Sequence, residues 1–543
     1  MRLRHVALGL LVLAAGCVGA SATDVRSPVQ QRSPNERPQL VVVAVFDQLG
    51  AATLERLMPL LDADGAIRSV AARGNLQRVA YPYAATYTAP GHATLHTGVA
   101  PSQSGILANE RWHPERGEIS WLDDPSSKVI GEASSGASPR ALLVDTVGDA
   151  LKSATGGRAK VVSVSVKDRA AIVPGGHRPD VALWYSSTLR GFTTSRYYAD
   201  AVPSCAARHA ASRAAGSLLE PWRPDPRAPS LRPDAAPGEG HYLGWSSAFP
   251  HDPRLSTSPW AVLKLTPALT IDSIALAHHC ADDLGLGVDS VPDLLALSLS
   301  ATDYAGHVFG PESREYADAL IRTDRALGRL LESLAARTRL AVLISSDHGV
   351  TPMPEDSGAG GRIVPKTLVA ELEAALDGDL GPGDWVAGFV APLVSLTPRA
   401  RERRAEAILA LLTALSRVAG VHAAFDARRG AELRQSPDGL ERAVGLSLDG
   451  DPPGDAFVVT REGWSVDPDM AIGAGTSHGS PWRTDTEVPV LFAGPGVRRA
   501  ANRTPLDARR VAPTIAALLD VPAPKSATSS PLPGAPAPGN SGQ

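Results

Sequence analysis

Five short stretches of this chain are strongly β-forming and largely apolar, without the polar alternation of a half-wetted strand. Leu40–Phe46 reads LVVVAVF, and Lys160–Val166, Leu294–Leu299, Leu340–Ile344 and Val488–Phe492 are of the same kind. A strand with one wet face alternates, whereas one covered on both faces has no reason to. That is the condition of a parallel sheet sandwiched between helices. Helical periodicity lies between the runs, as from Ser313 to Arg337 and from Ala512 to Leu519. The expected fold is therefore α/β and doubly wound, a mostly parallel sheet flanked by helices.

At 543 residues the chain is too long for one uninterrupted core. Two stretches break the strand–helix rhythm. Residues 191–290, rich in Pro, Trp, Tyr and Gly, read as a cap insertion. Residues 356–465, with a helix from about Arg401 to Val418 and strand-like pieces, read as a second insertion. The core is then assembled from 38–190, 291–355 and 466–522, and the Pro-, Ser-, Gly- and Ala-rich 523–543 is expected to be a disordered tail.

Residues 1–22 read as an export signal, with Arg2, Arg4 and His5 ahead of an apolar run from Val6 to Ala15, and 23–37 as a linker. The run is too short to span a bilayer. Ala14-Ala15-Gly16-Cys17 resembles a lipobox that would lipidate Cys17 and give a periplasmic or cell-surface lipoprotein; cleavage near Ala20-Ser21-Ala22 would release the chain instead. Cys205 and Cys280 remain, either as a disulfide or as two buried thiols. A net charge of -4 offers no electrostatic footprint for nucleic acid.

The residues just beyond each run carry the chemistry. Asp47 comes after Phe46; Lys167, Asp168 and Arg169 come after Val166; Asp303 and His307 lie shortly beyond Leu299; Asp347 and His348 lie shortly beyond Ile344. In open α/β sheets the site lies beyond the carboxyl ends of the strands, so four strands deliver acids, imidazoles and cations to one rim. Asp303 and His307 are one helical turn apart. His478 sits in the small-residue loop Gly475-Thr476-Ser477-His478-Gly479. Singly, each of these is ordinary. Together Asp47, Asp303, Asp347, His307, His348 and His478 make a thiolate-free donor set that suits catalytic zinc, and six donors suit two Zn²⁺ about 4 Å apart.

Thr88 opens Thr88-Ala89-Pro90-Gly91-His92, where Pro and Gly suit a sharp turn into a helix. A hydroxyl at a helix N-terminus faces the end that attracts anions, and metal coordination would make it a nucleophile. His92 and His96 have zinc-pair spacing, but both lie beyond the helix start and the other six donors suffice, so they are not read as ligands. His278-His279 reads as an exposed helix face. Phe192, Trp184 and Trp245 read as core packing.

Taken together, Phe46-Asp47, Thr88-Ala-Pro-Gly-His92, Thr302-Asp303-Tyr-Ala-Gly-His307, Asp347-His348-Gly349 and Thr476-Ser-His478-Gly479 resemble the alkaline phosphatase superfamily. Within it they are similar to the threonine-nucleophile branch related to type I phosphodiesterase/nucleotide pyrophosphatases. The resemblance runs from about residue 38 to 522. It implies one zinc on Asp303, His307 and His478, another on Asp47, Asp347 and His348, and Thr88 as a metal-coordinated nucleophile passing through a phosphothreonine. Lys167 and Arg169, in Ser165-Val-Lys-Asp-Arg169, and Asn109, in Gly105-Ile-Leu-Ala-Asn109, look like the groups that hold phosphate in the monoesterase branch. A monoester carries two charges on its free oxygens, which a guanidinium fork and an ammonium match. No C/S-x-P-x-R signature falls at the nucleophile, which sets the sulfatases aside.

The expectation is an exported zinc-dependent alkaline phosphatase acting on small phosphorylated substrates, with no nucleic-acid partner and a membrane only through a lipid on Cys17. The alternative is a phosphodiesterase/nucleotide pyrophosphatase on the same two-zinc site. A non-catalytic binding protein would lack a ligand or the nucleophile, and neither is missing.

Overall fold

The Leu40–Phe46 run lies in the middle of a nine-stranded sheet with every residue buried. In this computed structural model residues 37–537 are described, except 134, 215, 230–231, 359, 468–472, 501 and 503. The export signal, Cys17 and nearly all of the linker lie outside the described residues. From edge to edge the strands are Leu506–Asp507, Asn75–Ala80, Glu487–Ala493, Leu340–Ser345, Leu40–Phe46, Asp293–Leu299, Val161–Ser165, Val181–Ser186 and Gly191–Thr193.

The five strands from Leu340–Ser345 to Val181–Ser186 are parallel, as expected. Glu487–Ala493 departs from the expectation: it runs antiparallel to both its neighbours. Its sequence could not reveal this, because a strand covered on both faces has the same pattern in either direction. The helices Pro267–Leu284 and Arg314–Ala335 cover one face, and Thr88–Thr97 and Val511–Leu519 the other.

Three other boundaries move. Gly191–Thr193 pairs with the sheet edge and Pro267–Leu284 packs in the core, so the irregular part of 191–290 is narrower than its composition implied. The helix expected over Arg401 to Val418 is two pieces, Pro398–Glu402 and Arg404–Leu415. They lie against a separate four-stranded antiparallel sheet of Val386–Val390, Leu393–Leu396, Ala456–Thr460 and Val421–Asp426.

The tail is not disordered up to Ala537. Gln77, Arg510 and Thr514 hydrogen-bond its backbone at Pro533, Ser530, Pro531 and Leu532, and the Leu532 side chain is buried in the core. Proline fixes this segment as extended chain, and the core supplies partners for its carbonyls. Cys205 and Cys280 form a disulfide.

Candidate active site

The strand ends line up. Phe46 stands beside Leu299, Val45 beside Ser345 and Ser298 beside Ser165, so the residues that come next emerge on one rim. Thr88 comes after a strand, Asn75–Ala80, that runs in the same sense as these. His478 instead precedes a strand. It reaches the same rim because Glu487–Ala493 is antiparallel and begins there.

Asp303 and His307 lie on the helix Ala301–Phe309, with Asp303 Oδ1 3.2 Å from His307 Nε2 and 3.7 Å from His478 Nε2. His348 Nε2 is 3.5 Å from Asp47 Oδ1 and 3.7 Å from Asp347 Oδ2. The six donors named from sequence therefore converge. Two sets are tight enough to grip a cation: Asp303, His307 and His478, and Asp47, Asp303 and His348. Asp347 stands at the margin of the second set, its Oδ1 accepting from the Gln48 and His348 amides.

Each imidazole is fixed in the same way. His307 Nδ1 is 2.9 Å from the Thr476 carbonyl, His478 Nδ1 2.8 Å from the Thr86 carbonyl and His348 Nδ1 2.9 Å from the Gly349 carbonyl. A carbonyl only accepts, so each Nδ1 donates, and in its neutral form each ring turns its Nε2 lone pair toward the carboxylates. Lone pairs facing carboxylate oxygens repel unless a cation lies between them. Asp47 Oδ1 and Asp347 Oδ2 are buried and find no donor. Donor type, ring orientation and orphaned oxygens all fit divalent metal.

Thr88 is the first residue of the buried helix Thr88–Thr97, its Oγ1 3.4 Å from His348 Nε2 and 3.3 Å from Lys167 Nζ. Gly91 lets this helix approach: a Cβ there would lie 2.2 Å from the Asp347 carbonyl oxygen. Lys167 also contacts Asp47 Oδ2 at 2.6 Å and Asp303 Oδ2 at 2.5 Å. Asn109 Oδ1 accepts from the Ala89 amide at 2.9 Å, which fixes its amide with the nitrogen as the free donor end. Arg169 opens the helix Arg169–Gly175 behind its Asp168 cap, and its guanidinium is 3.7 Å from Glu110.

The family model for type I phosphodiesterase/nucleotide pyrophosphatase matches residues 41–479. The chain belongs to that family. It is a metal-dependent hydrolase of phosphoric esters. It is 28% identical to alkaline phosphatase PhoV of Synechococcus elongatus, over 96% of this chain and 97% of that protein. It is also 28% identical to alkaline phosphatase PafA of Elizabethkingia meningoseptica, over 97% of each. The crystal structure of wild-type PafA superposes with a TM-score of 0.84 at 26% identity, over 92% of this chain and 99% of that one.

The electrostatics of the family site as built here show a shortage of positive charge. Burial, then repulsion from Asp303 and Asp347, raises Asp47 well above the usual carboxylate range, despite Lys167. Burial pushes Asp347 up to about 7. Burial would also raise Asp303, but Lys167, His307 and His478 outweigh it and hold it well below its usual value. Burial lowers His348 to about 4 and holds His478 well below its usual value, while Asp303 overcomes burial at His307 and raises it. Two acids displaced upward beside two displaced imidazoles describe a pocket that attracts cations.

Sequence reading passed over the supporting residues. Gln48 donates from its backbone to Asp347 and from Nε2 to Asp303 Oδ1 at 3.1 Å. It sits at a φ of 68°, and a Cβ on Gly306 would collide with its side chain. Thr302 Oγ1 donates to the Asp47 carbonyl at 2.6 Å. His92 Nε2 lies 3.1 Å from Ser298 Oγ and 3.6 Å from Asp347 Oδ2, beside the site and outside both tight sets. Trp184 and Trp245 are buried. His278 is half-buried against Ser333, not exposed. Adjacency to Asp47 was the one signal that could have found Gln48.

Proposed function

We propose that this chain is an exported alkaline phosphatase that hydrolyses phosphate monoesters with two zinc ions and a phosphothreonine at Thr88. One observation carries the reading: three histidines, each anchored through Nδ1 to a backbone carbonyl, aim Nε2 at three carboxylates within reach of one hydroxyl. Asp303, His307 and His478 would hold one zinc, and Asp47, Asp347, His348 and Thr88 the other; when bound, the pair would supply Lewis acidity to the attacking and leaving oxygens.

The remaining work belongs to side chains. Thr88 Oγ1 forms a bond to phosphorus as the leaving oxygen departs on the opposite side. Water then attacks phosphorus, Thr88 leaves, and inorganic phosphate is released. Lys167 and Arg169 offset the two charges of a monoester, and the Asn109 amide nitrogen donates to a third oxygen. A diester has one charge and a second substituent, so it uses this pair less well. Support for the monoester also comes from two relatives aligned over nearly the whole chain and named alkaline phosphatases. The Cys205–Cys280 disulfide supports an oxidising destination.

A second reading, a diesterase or nucleotide pyrophosphatase on the same site, is favoured by the description of the family model. Hydrolysis of p-nitrophenyl phosphate against bis(p-nitrophenyl) phosphate separates the two. The monoester is expected to be preferred, and Lys167→Ala to lower its kcat/KM by about 10²- to 10³-fold. A diester preference that survives Lys167→Ala overturns the assignment. Thr88→Ala is expected to abolish turnover while elemental analysis still finds about two zinc per chain; full activity in it would remove the covalent route.

A further inference from the structure

Near the phosphate-holding groups stands another cation that the mechanism above does not use. Lys264 lies on the turn Leu263–Leu265, inside the irregular insertion. The residues on either side of it are completely buried: Leu263 packs with Val166 and Leu269, and Leu265 with Ala301, Ala305 and Phe309. The turn is thus clamped onto the helix that carries Asp303 and His307, and the lysine between its two anchors has a fixed origin.

Its ammonium lies 5.2 Å from the centre of the Tyr242 ring and 5.3 Å from that of Tyr304. Lys167 Nζ is 5.1 Å from the same Tyr304 ring. One ring therefore bridges a cation at the nucleophile and a cation on the insertion, and the two ammonium groups lie within about 10 Å of each other. Arg169 is close enough to Lys264 for its charge to act on it. Among the described residues no carboxylate forms an ion pair with Lys264. Lys167 has Asp47 and Asp303, and Arg169 has Glu110 and Asp168. A half-buried lysine held by two rings, without a counter-ion and beside two more cations, is an anion site in waiting.

We propose that Lys264, with Tyr242 and Tyr304, forms the leaving-group subsite and selects monoesters whose leaving group bears a second anionic group. The inference rests on the monoesterase reading and takes the leaving group, which departs opposite Thr88, to extend toward the insertion whose Lys264 shares the Tyr304 ring with Lys167. The two phenol rings give an aromatic or sugar-like body a surface to lie on, and the ammonium meets an anion at its far end.

The test compares kcat/KM for 4-carboxyphenyl phosphate with that for its neutral isostere 4-carbamoylphenyl phosphate, in the full-length zinc-loaded enzyme and in Lys264→Gln and Lys264→Arg. Differences in leaving-group chemistry cancel between enzymes, so only the change in the ratio is read. The ratio is expected to fall about three- to tenfold in Lys264→Gln, to be retained in Lys264→Arg, and to shrink in the wild type as salt is raised. A lysine that only fastens the insertion would lower both esters together. A ratio unmoved in Lys264→Gln while both esters turn over overturns this inference alone; failure of the wild type to hydrolyse either ester overturns the monoesterase reading and this with it.

Discussion

The strand rim and the irregular insertion meet at the Tyr304 ring and are built by opposite means. On the rim, buried polar side chains come from four aligned strand ends and one antiparallel strand, and backbone carbonyls fix each imidazole. Among the described residues between 194 and 266 no strand joins a sheet; two leucines, aromatic clusters and a disulfide hold the chain in place. The difference follows from tolerance. Misplacing a reacting group by about 1 Å costs roughly a hundredfold in rate, whereas a contact to the far end of a leaving group forgives such a shift. Chemistry belongs on the sheet, and selectivity can live on a loop that varies without disturbing it.

Breaking each region in turn tests that division, and the rim should give the larger effect. Asp303 touches both tight donor sets as well as Lys167 and Gln48. Asp303→Asn keeps the volume and removes the charge. It is expected to lower kcat/KM by about 10³-fold or more and to reduce bound metal, read by elemental analysis on the folded protein. Retained metal with near-normal rate would deny Asp303 its central place.

On the insertion side the matching cut is Cys205→Ser with Cys280→Ser. The bond closes a separation of 75 residues. In the chain-entropy estimate it contributes about 4 kcal/mol, acting largely through the unfolded chain. The double variant should lose stability in a urea titration while retaining much of its turnover at low temperature. A collapse of turnover with stability unchanged would mean that the insertion positions reacting groups after all.

The two regions were also unequally legible. The rim could be read because parallel strands bury both faces and deliver their successors to one edge, so Asp47, Lys167, Asp303 and Asp347 announced themselves by the strands ahead of them. Strand direction could not be read, since Glu487–Ala493 looks alike either way; His478 was found by its loop motif rather than by topology. Gln48 and Thr302 work through contacts some 255 residues away, which no local pattern encodes. Lys264 was invisible for a related reason: its significance lies in Tyr304, a residue contributed by a different strand's exit helix. The ordered tail up to Ala537 misled because a composition typical of disorder says nothing about whether a core offers partners to its carbonyls.

The smallest expected effect lies where the insertion meets the core. His251 Nε2 is 2.9 Å from Glu315 Oε1, both almost fully buried, with Trp245 and Phe309 stacked on the imidazole. Burial raises Glu315 to about 8 and lowers His251 to about 4, so the folded pair is a protonated acid beside a neutral ring. A raised acid stabilises fully below its unfolded value, near 4.3, and that contribution is lost as pH climbs to the folded value. A depressed imidazole stabilises above about 6.5 and loses that contribution as pH falls toward its folded value. Between about 4.5 and 6.5 the two slopes cancel; from about 6.5 to 8 only the acid acts, costing about 2 kcal/mol. Glu239, raised to about 8 by burial and by Glu315, titrates in the same window and adds to the loss. Glu315→Gln keeps a donor for the imidazole and removes the titration. Its stability relative to wild type, from urea midpoints at fixed zinc, should therefore rise steadily from about pH 4.5 to about pH 8, because the imidazole's slope is common to both proteins and only wild type carries the acid's, and level off above that. A constant difference across the whole range would mean that the pair is already ionised in the folded protein, with the insertion fastened by charge.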